Sequence, residues 1–115
     1  MSVDAPDLDI AEMWRAYCHR RFPTRLRGAE VGGIDVVLLD ADTAGCVSAW
    51  LANGGQLDAA RLRILTSCVT NVAAALTVFA DGEERYYLEQ LHILAAATAR
   101  KCRPLEATAG HEAAR

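Results

Sequence analysis

Aromatic rings are scarce in this chain, at 6% of residues. The shortage leaves few anchors for a surface that stacks nucleic-acid bases or sugars. Lysine is nearly missing: apart from Lys101, all the basic side chains are arginines. Neither sign of charge dominates. A formal net charge of -3 gives no global attraction to nucleic acid. The longest apolar stretch, Ile64 to Ala80, is interrupted by Thr66, Ser67, Thr70, Asn71 and Thr77. It is too short and too polar for an easy membrane span. The first residues, MSVDAPDLDI, carry acids where a secretory leader needs positive charge. The four cysteines, Cys18, Cys46, Cys68 and Cys102, are widely spaced and form no CxxC pair. Free, buried thiols are the expectation for such a pattern. Together these absences point to a soluble, cytoplasmic protein with no membrane partner.

What is present is a globular composition, 52% hydrophobic and 23% charged over 115 residues. That is one domain of ordinary size, able to bury a core without staples. Alanine contributes much of the hydrophobic total, which favours closely packed helices. A helical domain is expected over residues 1–104, with a flexible tail, LEATAGHEAAR, over 105–115.

Four helices account for the periodicity. PDLDIAEMWRAYCHRRFP reads as the first, over 9–22. Asp9 and Glu12 form a D-x-x-E cap, Arg20 and Arg21 fall in the last turn, and Pro23 stops it. The clearest helix covers 57–80, where Leu62, Leu65, Val69, Val72, Leu76 and Phe79 repeat at 3, 4, 3, 4, 3 behind a cap at Asp58. A last helix, 82–103, starts with Asp81 and Glu84 as a second D-x-x-E cap. It aligns Leu88, Leu91, Ala95, Thr98 and Cys102 on one face.

The stretch GIDVVLLDAD, Gly33 to Asp42, suits a helix or a buried strand locally. As a strand it resembles the phosphoacceptor strand of signalling receiver domains, a resemblance that would make Asp40 the acceptor. The resemblance covers only these ten residues. The rest of the chain lacks the acidic pair after a first strand, the later lysine strand and the alternating β/α pattern. It also offers no second strand signal to pair with. Carried onward, Val36, Leu39, Thr43, Val47 and Trp50 fall at helical spacing, Asp35 and Asp42 share a face, and Asn53-Gly54-Gly55 makes a helix terminus. A helix over 32–52 is therefore expected. The fold class is all-α: a single-domain four-helix bundle, expected to be a homodimer because two full heptad seams exceed what one small chain buries.

Chemistry is less visible. Glu89 and His92 form an E-x-x-H pair of the kind di-iron bundles use twice. Cys46, Cys68 and His92 lie on three different helices, and could meet as zinc ligands only through the fold. Arg15, His19, Arg20, Arg21, Arg25 and Arg27 form a basic run that suits phosphate or an acidic partner. Asp35, Asp40 or Asp42 are candidates to neutralise it. Asn71, a polar residue beside the seam of the 57–80 helix, is a candidate for setting a pairing register. Trp50, Tyr86 and Tyr87 are candidates for an interface. Neither Gly32-Gly33 nor Gly54-Gly55 belongs to a phosphate-loop motif, and no catalytic motif is found.

The expected function is a non-enzymatic interaction or regulatory module, with itself and another protein as partners and no cofactor. A ligand- or metal-binding bundle using Cys46, Cys68, Glu89 and His92 is the alternative. A nucleic-acid-associated regulator using Arg15 to Arg27 is the third reading, with nucleic acid the least expected partner.

Overall fold

The computed structural model describes the backbone of residues 6–104 and the side chains of 9–103. It is an all-α, four-helix domain: α1 (Pro6–His19), α2 (Val36–Ala52), α3 (Ala59–Leu76) and α4 (Gly82–Lys101). The tail expected over 105–115 lies outside the described residues.

The first helix begins at Pro6, three residues before the expected cap. Proline is at home at the first helical position, where its missing N–H costs nothing. Asp9 therefore lies inside the helix. At the other end α1 stops at His19, so Arg20 and Arg21 follow it rather than complete its last turn. A 3-10 turn over Thr24–Leu26 then buries Leu26 completely.

Residues 32–35, expected as the first turn of a helix, form part of a small hairpin. Here β1 (Glu30–Val31) pairs antiparallel with β2 (Ile34–Asp35). Gly32 and Gly33 connect them with φ of 59° and 80°, the left-handed pair that a two-residue hairpin loop demands. Asp35 then caps α2, its carboxylate accepting from Val37 N at 2.8 Å and Leu38 N at 3.3 Å. GIDVVLLDAD is thus two strand residues followed by helix, and Asp40 sits within α2.

From there the periodicity holds. Val36, Leu39, Thr43, Val47 and Trp50 are all buried. Thr43 satisfies its hydroxyl on Leu39 O at 2.8 Å, which permits a polar residue in the core. Gly54 and Gly55, at φ of 66° and 89°, reverse the chain, and Gly55 N donates to Trp50 O at 2.8 Å. This six-to-one bond closes a helix end with a left-handed residue.

Asp58 caps α3 by accepting from Arg61 N at 2.8 Å. Leu65 and Val72 of its seam are fully buried, and Leu62, Val69, Leu76 and Phe79 pack against the core as partly buried neighbours. The helix ends at Leu76 rather than at 80. Asp81 precedes α4 without making a side-chain cap bond, while Leu88, Leu91, Ala95 and Thr98 are buried as their spacing predicts.

Sequence neighbours pack as spatial neighbours, α2 on α3 and α3 on α4, with α1 laid across α4 and α2. Beyond α4 the chain returns: β4 (Arg103–Pro104) pairs parallel with β3 (Gln56–Leu57) at the α2–α3 connection. The molecule is 19 Å through its thinnest direction, about two helix diameters. A helix in a two-layer slab has one side covered and one side open.

Candidate functional site

The open side that stands out belongs to α3. Between Ile64 and Ala80 the chain carries no charged residue, yet only Leu65, Cys68, Val72 and Ala75 of α3 are buried. The outward row is Ile64, Ser67, Asn71, Ala74 and Val78, at spacings of 3, 4, 3 and 4. Ile64 is 46% exposed and Val78 just past the helix end 57%. Solvated helix faces ordinarily carry charged or strongly polar side chains. The α3 threonines do not supply that character, because they turn inward on their own helix. Thr66 donates to Leu62 O at 2.9 Å and Thr70 to Thr66 O at 3.4 Å, and Thr77, just past the helix, donates to Ala74 O at 2.7 Å.

Beside this row a cleft of about 620 Å³ opens between α2 and α3. Ile34, Leu38, Leu39 and Ile64 supply its apolar lining, and Leu38 is 61% exposed. Asp35 and Asp42 line it from the α2 side and Arg63, Ser67 and Asn71 from α3. The face shared by Asp35 and Asp42 in the sequence pattern is therefore this cleft. The hairpin and the Asp35 cap hold its end, because they fix where α2 begins.

A second cluster lies where α1, α2 and α4 meet. Tyr87 OH donates to Asp40 Oδ1 at 2.8 Å, and Tyr17 OH lies 3.1 Å from both carboxylate oxygens. Tyr17 stacks on Trp14 with centroids 5.3 Å apart, and Phe22 meets Tyr87 edge-on at the same distance. Burial pushes the Asp40 carboxyl above its ordinary value, and the two phenol donors bring it only part of the way back. Burial, together with the Asp40 charge, pushes Tyr17 up to about 12 and raises Tyr87 as well. The groups hold their protons more tightly than usual, as suits a tie between helices. The adjacent crevice, about 190 Å³, reaches Tyr87 but not Asp40.

The expected metal or ligand group is spread out. The Cys46 thiol points at Arg61 O, 3.6 Å away, and burial pushes it up to about 11. Cys68 is buried in the other part of the core, with its thiol also raised by burial. Glu89 is engaged by Arg85 at 2.9 Å, and His92 is half-buried farther along α4. Among the described residues no three His, Cys, Asp or Glu side chains gather as a metal site.

The basic run is divided as well. His19 Nδ1 donates to Arg15 O at 2.8 Å. The Arg20 guanidinium lies over the Tyr86 ring and that of Arg27 over Phe22, at 5.4 and 5.7 Å. Arg15, Arg21 and Arg25 are exposed. Asp40 neutralises none of them, being taken by the two phenols.

Of the expected interface residues, Trp50 is 1% exposed and Tyr87 4%, so both are core residues and offer no surface. Tyr86 is exposed beneath Arg20. Asn71 lies on the open α3 row. Leu38, Ile64 and Val78 are additions to the expected set; the uncharged run in the sequence marks Ile64 and Val78, whereas nothing there marks Leu38. No helix among the described residues is long and apolar enough to cross a membrane. Comparison with protein families, with curated proteins and with solved structures returns no match.

Proposed function

We propose that this chain is a helical protein-interaction module that assembles through the outer face of α3 and the cleft beside it on α2. The observation that carries the reading is the stretch Ile64 to Ala80, uncharged throughout although its outer half faces solvent. Interface centres are depleted of charge and exposed apolar patches mark contact sites. The rim charges Asp35, Asp42 and Arg63 serve orientation rather than adhesion. Neither alternative reading has a comparable support: Glu89 is already ion-paired, and two of the arginines lie on aromatic rings.

The test is photocrosslinking in cells, with a photoreactive residue at Ile64, at Val78 or, as control, at exposed Arg100 of α4. Discrete adducts are expected from Ile64 and Val78 and not from Arg100. Their loss on introducing Leu38→Arg, which charges the adjacent cleft wall, ties them to this face. No adduct from either α3 position, or an identical pattern from Arg100, overturns the proposal.

A further inference from the structure

The outward row on α3 is symmetric about Asn71 at its two ends. Ile64 lies seven residues before Asn71 and Val78 seven after, and the small residues Ser67 and Ala74 flank the middle. An antiparallel second copy of the helix, related by a two-fold axis at Asn71, sets the two ends of the row against each other. Ile64 then meets Val78 of the second copy and Asn71 meets Asn71, while Ser67 and Ala74 lie beside each other one residue out of register. Resting on the interaction reading above, we infer that the occupant of this face is a second copy of the same chain, docked antiparallel through α3.

Three features favour this occupant. The first is chemical. An asparagine amide holds a donor and an acceptor, so two of them pair reciprocally across a two-fold axis. Among the described residues no hydrogen bond engages the Asn71 amide, whereas the neighbouring Thr66, Thr70 and Thr77 hydroxyls are all taken. A polar amide at the centre of such a row specifies register.

The second is electrostatic. The charges of α3 are Arg61 and Arg63 in its first turns. A parallel pair brings these arginines together. An antiparallel pair brings them toward the carbonyl end of the other α3, where cations are favoured.

The third is steric. Ser67, Thr70, Ala73 and Ala74 let two helix backbones approach closely, and Ile64 and Val78 fill the wider space at the ends. Leu38, exposed at the edge of the cleft, gains cover from the helix laid alongside it.

The experiment uses purified full chain in a Cys18→Ser, Cys102→Ser background, which leaves only the two buried thiols. A short bismaleimide is expected to link Asn71→Cys to itself and to link the Ile64→Cys, Val78→Cys double variant. Ile64→Cys alone stays unlinked, because two copies of position 64 lie about 21 Å apart along an antiparallel pair. Linking of Ile64→Cys to itself shows a parallel pair and overturns the inference.

Sedimentation gives a second readout, independent of the cysteine variants. Asn71→Asp, which places two carboxylates at the axis, is expected to weaken a dimer at neutral pH by ~10-fold or more and to spare it in mild acid. A monomer at high micromolar concentration that still gives Ile64 adducts in cells means a different protein occupies the face. The inference then fails and the interaction reading stands. A monomer that instead binds vesicles of mixed neutral and anionic lipid overturns both.

Discussion

Asp40 ties three helices together by accepting from two phenols, and its protonation sets a pH dependence whose sign can be worked out. Burial holds its folded value above the ordinary 3.8. For an acid raised on folding, the contribution to stability is fully present below the ordinary value and is lost as pH rises through the folded one. The stability of the protein relative to Asp40→Asn is therefore expected to fall from mildly acidic to neutral pH, as read from thermal melts of both chains. A relative stability that climbs over that range shows that the phenols outweigh burial. Tyr87→Phe deletes the 2.8 Å bond and is expected to cost ~1.5–3 kcal/mol by denaturant titration, the range for a hydrogen bond to a charged group. At Gly55, φ of 89° makes Gly55→Ala costly by ~1–2 kcal/mol, although the added Cβ meets the Trp50 ring at an ordinary 3.5 Å. None of this cluster was legible in the sequence. Tyr17, Asp40 and Tyr87 are separated by 23 and 47 positions, and no local pattern records contacts that only the packing of α1, α2 and α4 creates.

The helices themselves were legible, because their spacing is imposed by burial. The seams through Leu65 and Val72, through Leu88 and Leu91, and through Val36 and Trp50 all face the core. Ends were harder to place. The pair Gly32-Gly33 between Val31 and Ile34 is a hairpin signal, but the β-branched residues after it extend into a good helical pattern. The helix reading thus absorbed four residues too many. The aspartates that precede α2, α3 and α4 differ in the fold. Asp35 accepts from two backbone N–H groups and Asp58 from one, while Asp81 accepts from none. Asp35→Ala and Asp58→Ala are each expected to lower stability by ~1 kcal/mol, and Asp81→Ala to leave the unfolding midpoint nearly unchanged. Equal losses from all three contradict the assignment of these caps.

At the scale of the whole molecule, most packing joins helices that are adjacent in the chain, and such local topologies assemble quickly. The packing of α1 and α2 on α4 is longer in range, and so is the parallel pairing of Gln56–Leu57 with Arg103–Pro104. Arg103 reinforces it, its backbone N–H donating to Gly55 O at 3.1 Å and its guanidinium to Gly54 O at 3.0 Å. Those strands cannot meet until α3 and α4 have folded back on each other, so the clasp is expected to close after the rate-limiting step. An interaction absent from the transition state governs how fast a protein comes apart and leaves the rate of its formation untouched. Arg103→Ala is accordingly expected to steepen the rate of unfolding in stopped-flow traces with refolding unaltered. A slowed refolding limb places the clasp in the nucleus instead. Two residues just past the last helix would thus act as a latch on the lifetime of the native state, setting how long a chain, once folded, stays folded.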